Sequence, residues 1–279
     1  MNLSPKTALG RPLDPSYKTN LAIIGVTLLV GAIAGGLTLL STGNLGSAVS
    51  AGLLYGAIAF AGWVISREID PDHDLSAFVA VALALIASLI IKPTSLDILP
   101  LALIIFITRM TIRVVGPRAT IIDSAIVLAT IGLTAYFGNL LIALVGASAF
   151  FLDGVLPNPL RRQIVFGVIA VGTIALVSII SQQAIVIGQL SGPYVALVAG
   201  VTIAFLINTL GTTHIRTQSD TGNRPLSLSR VRSAMLLALA IGIAAAITLG
   251  DEGVNSLLPL WASLAAVPLY RLAFLVMQA

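Results

Sequence analysis

The run Arg67-Glu68-Ile69-Asp70-Pro71-Asp72-His73-Asp74 places four acids and a histidine within eight residues. Oxygen ligands at this density suit a hard divalent cation. Mg²⁺ in particular needs only one or two carboxylates beside a substrate's phosphates. Asp70, Asp72 and Asp74 are therefore candidate metal ligands, and Mg²⁺ is the cofactor they would hold. The same residues also suit a helix start. Asp70 would be the N-cap and Pro71 the first helical residue, with the remaining acids facing the positive end of the helix dipole.

A second group is Arg109 and Arg113, four apart on one helical face, with Arg118 and Asp123 close behind. Paired guanidinium groups suit phosphate or carboxylate through bidentate hydrogen bonds. Asp123 falls about one turn into the next helix, within reach of one of them. The alternative role is anchorage of a helix end at anionic lipid. A third group is Asp153, followed by Arg161 and Arg162. An acid inside an apolar segment is costly unless paired, so Asp153 is a candidate site residue and these arginines are its expected partners. The segment Thr212–Arg232 carries His214, Arg216, Asp220, Arg224 and Arg230 and follows Asn208; its Ser, Thr, Asn and Gly content reads as a loop. The candidate substrate-binding set is Arg109, Arg113, Asp123, Asp153, Arg161, Arg162 and Asn208.

These residues must be held by membrane helices. The 279 residues are 57% apolar and 9% charged, with a mean hydropathy of +1.04. A soluble domain carries about 25% charged residues, so lipid must cover most of this surface. Apolar runs of spanning length lie near 20–41, 46–66, 71–91, 96–114, 118–137, 139–156, 160–181, 192–211, 230–249 and 256–277. At about 20 residues per crossing, they give an all-α polytopic bundle of about ten spans (eight to ten). Residues 1–19 form a polar tail and 20–279 one membrane domain.

Charge then orients the bundle. With the N-terminus inside, thirteen of the fifteen lysines and arginines fall in the tail and cytoplasmic loops, from Lys6 to Arg232. Lys92 alone falls outside, and Arg271 sits near the inner end of the last helix. That asymmetry obeys the positive-inside rule. It places both termini in the cytoplasm and the chain in the plasma membrane. The glycines at 31 and 35, and Ser47, Ala51 and Tyr55, have the spacing of close helix contacts.

Zero cysteines exclude disulfide frameworks, thiolate metal sites and cysteine nucleophiles. Arginines scattered over several loops with few aromatics argue against nucleic acid as a partner. The partners expected are the bilayer and a small-molecule or lipid substrate. Three functions follow. One is a small-molecule permease with a cytoplasm-facing polar cavity, drawing on Gln182, Gln183, Gln189 and Asn208. Another is a metal-dependent enzyme acting at the cytoplasmic interface on a lipid-linked or phosphorylated substrate. The third is a structural subunit of a membrane complex.

Overall fold

The computed structural model describes residues 7–221 and 224–278, with side chains to position 273. Lys6, one of the basic residues used to orient the chain, lies outside the described residues. The named elements are all helices: α1 Lys18–Thr42, α2 Leu45–Ile69, α3 Ser76–Ile91, α4 Ile98–Ile112, α5 Ile121–Tyr136, α6 Leu140–Val155, α7 Arg162–Ile180, α8 Gly192–Gly211, α9 Leu228–Leu249, α10 Asp251–Ser256 and α11 Leu258–Gln278. The described residues hold no strand beyond an isolated antiparallel bridge between Gln218 and Pro225.

Local chemistry sets the boundaries. Gly43 ends α1 in the left-handed region, its N–H donating to Leu39 O. Asn44 then caps α2 by accepting from Ser47 N. Thr120 and Asp123 form a capping box at the start of α5, each side chain accepting from the other's backbone N–H. Pro193 sits in the first turn of α8, where its missing N–H is not needed. Asp70 is different from its sequence reading. It closes α2, and residues 71–75 turn before α3 begins at Ser76. The buried acid meets His73 within the turn and Arg271 from α11, and the chain turns where a helix start was expected. Likewise, α5 and α7 begin after Pro117 and Pro159, at Ile121 and Arg162.

Five helices are long and apolar enough to cross a membrane: α1, α2, α7, α8 and α9. Four shorter apolar helices, α3 to α6, accompany them, and α11 is apolar over Leu258–Ala273. The architecture is that of a helical membrane bundle. Its large exposed side chains are aliphatic over whole faces, as with Leu28, Leu40, Ile90, Ile180 and Ile207. Lipid would cover such surfaces at no hydrophobic cost.

The chain forms two compact units. One comprises residues 12–96 and 255–279, in which α1 packs on α2, and α2, α3 and α11 pack on one another. Ile58, Ala84 and Ala262 form one buried cluster within it, flanked by Leu54, Leu83 and Leu96. Here the small-residue contact runs through Gly31, Gly35, Ala48 and Gly52. A methyl group on Gly31 would stand 2.9 Å from Gly52 O. The α2 face used is therefore one residue along from the Ser47, Ala51 and Tyr55 expected by spacing.

The other unit comprises Asp97–Val254 with the N-terminal segment up to Arg11. In it α4, α5, α6, α7 and α9 pack together, while α8 leans on α9 and buries only Phe205 and Thr209. Phe150 and Phe166 stack across α6 and α7 at 5.7 Å. Between α7 and α8 the chain is irregular from Gln183 to Leu190. Gly188 N–H donates to Ile247 O at 2.8 Å and Asp251 N–H to Gln189 O at 3.1 Å. The two backbones meet here without room for side chains: a Cβ on Gly188 would strike Gly250 N, and one on Gly250 would strike Gln189 O. Gly250 also sits at φ +62°.

Gly250→Ala should therefore destabilise this unit by about 1–3 kcal/mol, from a left-handed backbone and a steric clash together. Thermal unfolding in detergent checks this. A control at Gly200, where a Cβ meets nothing within 4 Å, should leave the transition in place.

Candidate functional site

Asp153 lies near the end of α6 and is fully buried. Its Oδ1 accepts from Arg113 Nε at 3.1 Å, Arg113 Nη2 at 2.6 Å and Arg230 Nη1 at 2.7 Å. Arg113 is the C-cap of α4, held in the left-handed region at φ +63°. Arg230 enters from the first turn of α9. The guanidinium groups also donate to carbonyls. Arg230 reaches Pro157 O and Thr111 O at 2.8 Å, and Arg113 reaches Asn158 O at 2.8 Å. Three chain segments thus close on one carboxylate: the end of α4, the α6–α7 turn and the start of α9. The Oδ2 atom of Asp153 is buried and accepts no hydrogen bond among the described residues.

The partners expected from sequence were Arg161 and Arg162, and those are corrected. Arg161 is exposed ahead of α7, and Arg162 donates to Ala119 O. Asp123 also departs from expectation. Instead of Arg109 or Arg113, it accepts from Thr120 N–H at 2.8 Å, Ala8 N–H at 3.0 Å and the Thr7 hydroxyl. Arg109 donates to Leu9 O at 2.6 Å. Asn208 holds an Nδ2 that is buried and without an acceptor among the described residues. The loop after α8 is shorter than its composition implied. Ser219 N–H donates to Arg224 O and Leu226 N–H to Thr217 O, and α9 begins at Leu228.

In the other unit, Asp70 is 1% exposed, and its Oδ1 meets His73 Nδ1 at 2.9 Å and Arg271 Nη2 at 3.3 Å. The His73 ring lies 5.5 Å from that of Tyr270. Asp74 is half-exposed and pairs with Arg67 at 3.1 Å, whose guanidinium also lies 5.1 Å from the Trp63 ring. Among the described residues, no group of three His, Cys, Asp or Glu side chains is placed to share a metal ion. Asp70 and Asp74 turn to different cations, and Asp72 joins no such group.

Two surface grooves lie in the unit containing Asp153, and none of the charged candidates lines them. An apolar groove of about 480 Å³ runs between α6 and α9, past Leu144, Ser148, Leu152, Ser233 and Leu236. A second groove, of about 380 Å³, is lined by Gly138, Leu141, Gln182, Gln183, Thr248 and Leu249. It lies at the end of the helices opposite Asp153, where α5, α7 and α9 finish. Gln183 Nε2 donates to Tyr136 O at 2.9 Å, while its Oε1 is buried with no donor among the described residues. Arg113 and Arg230 are engaged in ion pairs with Asp153, and the uncharged groove beside Gln182 and Gln183 is at the other end.

Arg230 and Arg271 were not among the candidates, although each supplies a buried carboxylate with a cation. Nothing in local sequence joins residue 230 to 153, or 271 to 70. Their arginine type, on helices otherwise apolar, was the available signal. Near the start of α4, burial pushes the Asp97 carboxyl above its ordinary value of 3.8, opposed by a hydrogen bond from the Asn139 amide. No protein-family model matches this chain, and comparison with curated proteins and with solved structures returns no match.

Two outcomes follow. Removing one partner of a buried ion pair costs about 3–5 kcal/mol, so Arg230→Met should lower stability by that order. The double variant Arg230→Met/Asp153→Leu should recover part of the loss, as a thermodynamic cycle by denaturation in detergent would record. For Asp97, the folded state holds its proton more tightly than the unfolded chain, so its ionised form opposes folding at neutral pH. Asp97→Asn should raise stability at pH 7. That gain should shrink as pH falls through the raised value and vanish below 3.8.

Proposed function

We propose that this chain is a ten-span membrane protein, with both termini cytoplasmic in the plasma membrane, and that it passes a small solute bearing hydrogen-bond donors. The observation that carries the permease reading is the uncharged, largely apolar groove whose polar members are Gln182, Gln183 and Thr248. Its buried Gln183 Oε1 offers an acceptor with no donor among the described residues. Such an atom costs about 1–3 kcal/mol unless something donates to it. A hydroxyl, amide or ammonium on a solute would satisfy it.

Sidedness supports the topology. Arg109, Arg113, Arg161, Arg162, Arg230 and Arg232 all cluster at helix ends that the positive-inside rule puts in the cytoplasm. Gln183 and Thr248 lie at the opposite ends. In this orientation the groove faces outward. The four shorter helices, α3 to α6, carry 15–16 residues in regular form, about 24 Å of rise at most. Their capping residues and local thinning of the bilayer would complete the crossing. The metal-dependent alternative draws less support, because Asp70 and Asp74 are held by His73, Arg271 and Arg67.

Because the chain has no cysteine, single introduced thiols report sidedness directly. Thiols at Lys92, Gln189 or Glu252 should react with an impermeant maleimide added outside whole cells, and thiols at Arg216 or Lys18 only after lysis. Reconstituted vesicles should pass some members of a panel of polyols, amides and amino acids. Gln183→Leu should slow that flux about tenfold, the loss of one hydrogen bond. Absence of flux across the whole panel sinks the permease reading. Loss of lipid or metabolite turnover in Asp70→Asn/Asp74→Asn would favour the enzyme instead.

A further inference from the structure

The segment Thr7–Arg11 is neither helix nor strand, yet it is well held. Ala8 is fully buried and Leu9 is 5% exposed. Its main chain is read from two sides. The Asp123 carboxylate accepts from Ala8 N–H at 3.0 Å, and Arg109 donates to Leu9 O at 2.6 Å. The Thr7 hydroxyl adds a bond to Asp123 and accepts from Leu9 N–H at 3.1 Å. At the end of the segment, Arg11 pairs with Asp220 at 2.8 Å on a partly exposed surface. Asp220 N–H in turn donates to Val114 O at 2.8 Å.

This is the geometry by which a cleft binds a peptide. A carboxylate takes an amide N–H and a guanidinium takes the next carbonyl, so recognition rests on main chain, with Ala8 and Leu9 filling a small apolar space. The α5 start does not depend on the occupant. Asp123 accepts from Thr120 N–H at 2.8 Å, and Thr120 accepts from Asp123 N–H at 3.1 Å, within the same unit of structure. The capping box therefore survives without Thr7 or Ala8. Among the described residues the contact has no backbone ladder, and it buries the modest side chains of Ala8 and Leu9. Pro12 and Pro15 follow it. A patch held this way can open locally, at far lower free energy than the helices around it.

We propose that Asp123 and Arg109 form a cleft for an extended peptide, and that the chain's own Thr7–Arg11 is its exchangeable occupant. Docked, the segment covers the cleft as a strap over the ends of α4 and α5. Released, it presents a carboxylate acceptor and a guanidinium donor to a second peptide main chain. This reading is independent of what, if anything, the bundle transports.

The test uses the full chain, with single thiols in a background that has none. Leu9→Cys should react with maleimide at least about tenfold faster than Ala119→Cys, at a fully buried position just ahead of α5. Ala8→Pro removes one donor to Asp123 without touching the capping box. It should speed labelling of Leu9→Cys by a further tenfold or more and leave Ala119→Cys unchanged. A fluorescent peptide spanning residues 6–12 should bind the Ala8→Pro chain at least about tenfold more tightly than the wild type, whose cleft is filled. Arg109→Gln in the Ala8→Pro chain should abolish that binding. If Leu9→Cys reacts no faster than Ala119→Cys, the segment opens only when the unit unfolds, and the proposal is overturned. If labelling accelerates but the peptide does not bind the Ala8→Pro chain, the cleft is no peptide receptor, and the proposal falls equally.

Discussion

A carboxylate removed from water must find its cation close at hand, and Asp153 is where this chain meets that demand most strictly. Its Oδ1 receives three N–H donors from Arg113 and Arg230. The same guanidinium groups then use their remaining donors on the carbonyls of Thr111, Pro157 and Asn158. Those carbonyls belong to a helix end and a turn, where no intrahelical donor reaches them. One carboxylate therefore orients two arginines, and the arginines satisfy backbone carbonyls of two segments, the end of α4 and the α6–α7 turn. Net charge stays inside the cluster as one surplus positive.

Similar logic repeats at the other buried acids, with different partners. Asp123 is neutralised largely by hydrogen bonds from Thr120, Ala8 and Thr7. In the other unit Asp70 is served by His73 and Arg271. Each acid binds a helix end to a segment distant in sequence. The ends bearing these acids are consequently filled with ion pairs and hydrogen bonds, while the groove at Gln182, Gln183 and Thr248 stays open and uncharged. An open groove with an unmet acceptor invites a neutral donor.

Helix packing obeys a second constraint, the close approach of backbones. Gly31 against Gly52, and Gly188 against Gly250, leave no space for a Cβ on either side. In lipid there is little hydrophobic drive to bring helices together, so van der Waals contact over small residues carries more of the load. The register of that contact was only partly legible. Spacing pointed to Gly31 and Gly35, but the α2 residues they meet are Ala48 and Gly52. A small-residue stripe marks a face, and only the partner's shape selects which neighbouring stripe it meets.

Hydrophobic runs, prolines and glycines were enough to place every long apolar helix within a few residues, because helix formation in an apolar chain is a local matter of length and backbone satisfaction. The acids and arginines were visible as candidates for the same reason: a charge in an apolar run stands out. Their pairing was not visible. Asp153 lies far closer in sequence to Arg161 than to Arg230, yet it meets Arg230 at 2.7 Å. Asp123 turns to Ala8, 115 positions away. Proximity along the chain carries little weight once helices pack, since the field of a buried charge acts through space and rewards whichever donor the fold brings within hydrogen-bond reach. Composition and pattern thus determined that this is a helical bundle suited to a membrane. Tertiary structure alone decided which donors meet the buried acids, and that Ala8 and Leu9 are held by Asp123 and Arg109.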